Sequence, residues 1–299
     1  MQFETRAKVN LTLEISGRRN DGWHMLDTVF CPLSLTDRID AGRLASGLIF
    51  SCSDKALETE NNLAVRAFRL MQARFSFDGG LFLHLEKTIP SQAGLGGGSG
   101  DAACVLKICN EFFSLGLSKR QLAEVGASLG ADVPALVYDG PTRGRGTGAE
   151  VTPIPTVLSL PLLIVKPPSG LSTPAMYRKL DEMGLGGGPA AEEGAESPAV
   201  SRSELAEAAL RAGDAAALKE QLWNVFDAAA DGEEIALSRR MLLRAGAEKV
   251  ILCGSGSASF GVFPDAAGRN EAAARLMKEA PAGWQVFAAD TVNEERDDG

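Results

Sequence analysis

A chain of 299 residues with 45% hydrophobic and 23% charged side chains has length for about two domains and enough apolar material for a core of ordinary size. Its net charge of −9 excludes broad contact with nucleic acid or acidic membranes, both of which require clustered positive charge. Two histidines and no G-x-S-x-G elbow argue against a metal-histidine centre or a serine hydrolase. The opening MQFETRAKVN has no apolar leader core, and the longest apolar run, near Val157 to Val165, is too short to cross a bilayer and is broken by Pro161. A cytosolic chain, monomeric or weakly dimeric, with no nucleic-acid and no membrane partner, is therefore expected. The five cysteines (31, 52, 104, 109, 253) lack C-x-x-C spacing, mostly sit in apolar segments, and read as buried thiols.

The first strand alternates sharply. Phe3, Thr5, Ala7, Val9, Leu11, Leu13 and Ile15 fall on one face, and Glu4, Arg6, Lys8, Asn10, Thr12 and Glu14 on the other. Lys8 and Asn10 thus project together, either from a solvated face or into a site. A polar turn, Gly17 to Gly22, delivers Trp23-His24 to a strand over Met25 to Leu35. The Trp-His pair suits core packing, or a platform for a flat heterocycle with His24 bonding its edge. A capped helix follows from Asn61-Asn62 to Arg74, then a strand over Phe82 to Lys87, in which His84 reads as structural.

The next stretch is the most informative. Pro90 to Ala103, PSQAGLGGGSGDAA, packs five glycines (94, 96, 97, 98, 100) between that strand and an apolar-faced helix over Ala102 to Phe113. A helix start leaves backbone N–H groups unpaired and carries partial positive charge, so an anion is its natural occupant. Glycines let the backbone wrap that anion, with several N–H groups converging on phosphate oxygens. Ser99 and Asp101 offer caps, and Ser99 alternatively a hydroxyl for a phosphate or metal. A ligand-free connection is the competing reading. The loop is neither of the common phosphate loops: the chain has no Gly-Lys dipeptide, and Ser99 stands where the dinucleotide fingerprint needs glycine.

A helix over Ser118 to Leu129, capped by Ser118, ends at Gly130-Ala131-Asp132-Val133-Pro134. Asp132 is fixed between a helix-stopping glycine and a proline, as a general base or as a turn-closing carboxylate. Gly140 to Ile154 reads as a hairpin, and Leu158 to Pro168 as a strand. A helix then starts with Thr173 as cap and Pro174 at its first position, bringing Tyr177 as an exposed aromatic. Gly184 to Ser203 reads as a flexible loop. Helices over Glu204 to Ala212, Asp214 to Phe226 and Glu233 to Ala245 come next. A strand (Lys249 to Leu252), a second glycine-serine turn (Gly254 to Ser259), a strand (Phe260 to Phe263), a helix (Asn270 to Lys278) and a strand (Trp284 to Ala289) suggest a small α+β layer.

Together these residues resemble the GHMP small-molecule kinase superfamily, whose phosphate loop runs P-x-x-x-G-L-G-x-x-S, as Pro90 to Ser99 does. A-K-V-N-L, G-R-R-x-D-G-W-H, G-L-G-G-G-S, G-A-D-V-P, T-P-x-x-Y and the G-S-G-S turn before F-G-V-F are similar to its cytidyl-substrate branch, in order from Ala7 to Phe263. The resemblance implies an α+β two-domain fold: an N-terminal mixed-sheet nucleotide-binding domain over 1–155, and a ferredoxin-like C-terminal domain over 156–299 that completes the substrate site. It implies an ATP-dependent enzyme that uses Mg²⁺ to phosphorylate the 2-hydroxyl of a cytidine diphosphate-linked methylerythritol, a step of the non-mevalonate isoprenoid route.

It also implies roles. Asp132 is the catalytic carboxylate that takes the hydroxyl proton and Lys8 the lysine beside it. Gly94, Leu95, Gly96, Gly97, Gly98 and Ser99 cradle the ATP phosphates. Asn10, Trp23, His24, Thr173, Tyr177, Gly254 and Ser255 bind the substrate, with Trp23, His24 and Tyr177 around the cytosine. Metal ligands are left unassigned. Homoserine, mevalonate or sugar kinases of the superfamily are the alternative, distinguished by having no pyrimidine to stack; a nucleotide-binding sensor without catalysis is the third. Two departures stand out. The usual G-S-S-N is here Gly98-Ser99-Gly100-Asp101, leaving Asp101 as a metal contact or, preferably, a helix cap, and Trp23 replaces the commoner tyrosine.

Overall fold

The computed structural model describes residues 1–187 and 200–293. The chain opens with two long antiparallel strands, β1 (Gln2–Arg18) and β2 (His24–Leu44), then β3 (Gly47–Cys52), helix α1 (Leu63–Phe75) and β4 (Gly80–Glu86). Helices α2 (Gly97–Phe112), α3 (Lys119–Gly126) and α4 (Val133–Val137) follow, and then the hairpin β5 (Thr142–Gly146) and β6 (Glu150–Pro153). The second half runs β7 (Pro161–Lys166), α5 (Thr173–Glu182), α6 (Arg202–Ala212), α7 (Ala215–Gln221), β8 (Trp223–Asn224), α8 (Glu233–Ala245), β9 (Lys249–Leu252), β10 (Ser259–Val262), α9 (Ala266–Glu279) and β11 (Gln285–Asp290).

Seven strands form one mixed sheet in the order β3-β4-β2-β1-β8, with β5 and β6 joined to it through β2. The other four form an antiparallel sheet, β11-β7-β10-β9. That order, with helices between the first two and the last two strands, is the ferredoxin-like β-α-β-β-α-β arrangement. One apolar cluster runs through both sheets, uniting Val9 and Leu11 of β1 with Ile164 of β7 and Phe260 of β10. Each fully buried side chain of this kind contributes about 1.5–3 kcal/mol. The cleft therefore lies between layers that share a core.

Several local expectations shift. Lys8, Asn10 and Thr12 are buried like the apolar face opposite, because β1 is covered on both faces, and β8 adds to its edge only beside Thr12 and Leu13. Helix α2 begins at Gly97 rather than Ala102, since glycines 97, 98 and 100 are helical and only Gly94 (φ 76°) and Gly96 (φ 69°) take the left-handed conformation. A Cβ at Gly100 would sit 2.6 Å from Thr5 Oγ1 and 2.7 Å from the Arg6 carbonyl oxygen. Glycine there lets the helix start press against β1. The helix expected to reach Phe226 stops at Gln221, because Trp223 and Asn224 pair in parallel with Thr12 and Leu13. Most of the loop expected over Gly184 to Ser203 lies outside the described residues. All five cysteines are buried and free, and burial pushes the thiol pKa of Cys104 and Cys109 up to about 12. No helix among the described residues is long and apolar enough to cross a membrane.

Candidate active site

Between the two layers opens a cleft of about 1230 Å³. Its floor is Lys8, only 3% exposed, whose Nζ lies 3.2 Å from Asp132 Oδ2 and donates to Asn10 Oδ1 at 2.8 Å. Asn10 in turn donates to Thr28 Oγ1 at 2.8 Å. Asp132 occupies the residue before α4 and makes no capping bond, so its carboxylate, 34% exposed, faces the cleft instead of closing the turn.

The glycine loop packs over Lys8. The Lys8 amide donates to the Leu95 carbonyl at 2.8 Å, and a Cβ at Gly96 would stand 2.9 Å from Lys8 Cγ. Gly94, Gly96 and Ser99 line the cleft; Leu95 turns its side chain into the core, and Gly97 and Gly98 form the first turn of α2 beside it. No side chain caps α2. The amides of Gly97, Gly98 and Ser99 therefore have no intrahelical acceptor, and the helix dipole adds partial positive charge where they face out.

The cap expected from Asp101 is absent. Its side chain is 2% exposed and turned away from the cleft, accepting from Lys87 Nζ at 2.8 Å and from Thr5 Oγ1 at 3.4 Å. Lys87 also contacts Asp37, which accepts from the Ile89 amide at 2.8 Å. This buried triad ties α2 to the end of β4 and to β2. Burial, partly opposed by the Lys87 charge and reinforced by Asp37, raises the Asp101 pKa from 3.8 to about 7. Asp101 is thus neither cap nor metal contact.

Across the cleft the late glycine-serine turn meets the loop. The Ala258 amide donates to the Ala93 carbonyl at 3.2 Å, and a Cβ at Gly94 would fall 1.8 Å from the Cys253 carbonyl oxygen. Gly254 (φ 51°) brings its backbone within reach of Lys8: a Cβ there would lie 3.3 Å from Nζ. Thr173 is the first helical residue of α5 rather than its cap, which is Ser172, and its hydroxyl is bonded to Ser255 Oγ at 2.7 Å.

At the other end of the cleft Trp23 is 66% exposed, its indole free to cover a ligand. His24 stacks on Tyr177 with ring centroids 4.6 Å apart, and Tyr177 meets Phe226 edge-on at 4.9 Å. Tyr177 is consequently packed, not exposed; burial, with the charge of Asp132, pushes its pKa up to about 12. His24 Nε2 is 2.8 Å from Asp181 Oδ1, and Arg18 reaches the same carboxylate at 3.4 Å. The sequence reading missed Thr28, Phe226, Arg18 and Asp181. Asp181 had a signal, standing four residues after Tyr177 on one helix face; Thr28 is brought to Asn10 only by the β1–β2 pairing and had none.

The structure thus gathers Lys8, Asn10, Asp132, Thr173, Gly254 and Ser255 with the aromatic group and the start of α2 in one cleft. Such a site can hold an anion at the helix start and a flat ring at the far end, with a carboxylate and an ammonium between.

Residues 62–140, which include the loop and Asp132, match the family described as GHMP kinases N terminal domain, and in fold and loop the chain is a kinase of that class. A 4-diphosphocytidyl-2-C-methyl-D-erythritol kinase of Moorella thermoacetica is 40% identical over 278 residues, 92% of this chain and 94% of that protein. A protein of the same name from Symbiobacterium thermophilum is 38% identical over 281 residues, 93% of this chain and 94% of its own. A crystal structure of a 4-(cytidine 5'-diphospho)-2C-methyl-D-erythritol kinase superposes with a TM-score of 0.79 at 31% identity, covering 97% of this chain and 99% of that one. The chain belongs to the 4-diphosphocytidyl-2-C-methyl-D-erythritol kinase family. The mevalonate kinase of L. major, at TM-score 0.71 and 16% identity over 97% of this chain and 95% of its own, shares the fold alone.

Proposed function

We propose that this chain transfers the γ-phosphoryl group of ATP to the 2-hydroxyl of 4-diphosphocytidyl-2-C-methyl-D-erythritol. The observation that carries the reading is the Lys8–Asp132 pair, 3.2 Å apart, in one cleft with an uncapped glycine helix start and with Trp23, His24 and Tyr177. Phosphoryl transfer asks for alignment and neutralisation of charge more than for covalent catalysis. The amides of Gly97 to Ser99 meet the ATP phosphates. Asp132 accepts the hydroxyl proton as attack proceeds, and Lys8 stabilises the charge that develops beside it.

The aromatic group supplies the substrate's distinguishing contacts. Cytosine covered by Trp23, against the rigid His24–Tyr177 stack, converts binding energy at one end of the substrate into orientation of the hydroxyl at the other. Among the described residues no three His, Cys, Asp or Glu side chains cluster as a metal cage. A donor set this sparse fits Mg²⁺ carried on nucleotide phosphates, with the Ser99 hydroxyl as the loop's contribution. Bound there, Mg²⁺ would neutralise phosphate charge.

A kinase for homoserine or mevalonate would have no use for a stacking group at the far end of the cleft. The test offers ATP with the cytidyl alcohol, mevalonate and homoserine and follows ADP release. Turnover confined to the cytidyl alcohol is expected; turnover of either of the others, with none of the cytidyl alcohol, refutes the proposal.

A further inference from the structure

Helix α5 presents Pro174, Tyr177, Arg178 and Asp181 to the cleft, at the spacing of one helical face, while Met176 and Leu180 are buried behind it. Three strong cations line the cleft: Lys8, Arg18 and Arg178. Lys8 is committed to Asp132 and Asn10. Arg18 is committed to Asp181, and its Nε donates to the Gly22 carbonyl at 3.0 Å. Arg178 is exposed and makes no hydrogen bond or ion pair with any of the described residues. Among the described residues, Arg178 is thus the one strong cation of the cleft without a hydrogen-bond or ion-pair partner.

On the reading given above, the substrate is a base and a polyol joined by a diphosphate. The base goes to Tyr177 and its neighbours, and the alcohol to Lys8 and Asp132. The diphosphate must lie between them, leaving the aromatic group on the side where α5 runs. A chain of net charge −9 repels such a ligand unless a local cation receives it. A guanidinium matches phosphate oxygens with a two-pronged set of donors. The start of α5 adds to this: Ser172 and Thr173 line the same wall, and no side chain caps the helix.

We propose that Arg178 binds the diphosphate of the cytidyl substrate and so helps to select a nucleoside diphosphate-linked alcohol over a plain one. The assignment rests on the proposed substrate. Other occupants of Arg178, the phosphates of ATP above all, give different results in the same experiment.

The experiment compares the full chain with Arg178→Ala and Arg178→Lys in steady-state turnover, and uses cytidine diphosphate and cytidine as competing inhibitors. Loss of a charged hydrogen-bonding partner is expected to raise KM for the cytidyl alcohol about 10- to 100-fold in Arg178→Ala, with a smaller rise in Arg178→Lys. Both kcat and KM for ATP stay within about twofold. Cytidine diphosphate inhibits the unaltered chain more strongly than cytidine does, and Arg178→Ala removes that preference while cytidine inhibition is kept. An unchanged preference, an equal loss for cytidine, or a rise in KM for ATP overturns the proposal. Failure of the unaltered chain to use the cytidyl alcohol instead overturns the function itself, a result visible before any variant is made.

Discussion

The triad of Asp37, Lys87 and Asp101 sets two carboxylates against one ammonium, with Asp37 1% and Asp101 2% exposed. When both carboxylates ionise, a net negative charge is left inside the protein. The folded chain relieves this by holding a proton on Asp101 up to a pKa of about 7, against 3.8 for an ordinary aspartate. Because the folded pKa is the higher one, the native state binds the proton more tightly than the unfolded chain, and stability falls as pH rises from about 4 to about 7. A shift of about three units corresponds to at most about 4 kcal/mol, fully lost above pH 7. Asp101 also accepts from the Thr5 hydroxyl on β1, and its charge is felt by the Cys52 thiol on β3 and the Cys104 thiol on α2; Lys87 is the cation that opposes its protonation. Asp101→Asn keeps an oxygen for Lys87, removes the ionisation and leaves a one-to-one Lys87–Asp37 pair. Urea unfolding of both chains at pH 5 and pH 8.5 is the assay. The variant should already exceed the parent by about 1–2 kcal/mol at pH 5, where the aspartate is ionised in the unfolded chain but still protonated in the folded one, and by up to about 4 kcal/mol at pH 8.5. A parallel pH dependence of the two chains, or a variant that is weaker at pH 8.5, refutes the reasoning.

Asp132→Asn should fold normally and lose roughly 10²- to 10⁴-fold in kcat, the usual reach of general base catalysis, as read by ADP release; near-normal turnover assigns Asp132 a structural role only. Trp23→Ala should weaken the cytidyl alcohol by about 1–3 kcal/mol if the ring stacks on the base, leaving KM for ATP unchanged; an unaltered affinity for the alcohol removes Trp23 from the base pocket. Gly94→Ala forces a Cβ to within 1.8 Å of the Cys253 carbonyl oxygen at a φ of 76°. It should cost more than about 1 kcal/mol in urea unfolding and lower turnover. Gly98→Ala, whose Cβ meets nothing closer than 3.6 Å from Leu63, is the control and should stay within about 0.5 kcal/mol.

Much of this was legible where local chemistry decides the outcome. Asn62, Ser118 and Asp214 cap their helices through their own side chains, and the capping preference of those residue types is visible in any sequence. Elements were misjudged where a distant partner overrides local preference. Trp223 and Asn224 continue a helical pattern, yet they leave the helix because β1 offers an open edge. Asp101 sits where a cap is expected, yet Lys87, fourteen residues away, takes its carboxylate into the interior. Neither partner is announced by spacing along the chain.

Lys8 shows why the site was easier to find than to understand. Its alternation with Asn10 along β1 made them neighbours on one face, and the 2.8 Å bond between them follows from that period alone. That this face is buried could not be read from β1, because the cover comes from three other places. The Leu95 carbonyl takes the Lys8 amide, Gly96 packs on the side-chain stem, and Gly254 closes on Nζ from the second layer. The Gly96 and Gly254 contacts bring backbone to distances at which a Cβ would crowd the lysine, which gives the two glycine turns a shared purpose. Each is shaped by the fit of its backbone around a single lysine as well as by any phosphate it holds. A change in either turn should therefore reach the Lys8–Asp132 pair without touching it in sequence, and Gly94→Ala, which pushes the two turns apart, is the substitution in which that coupling appears first.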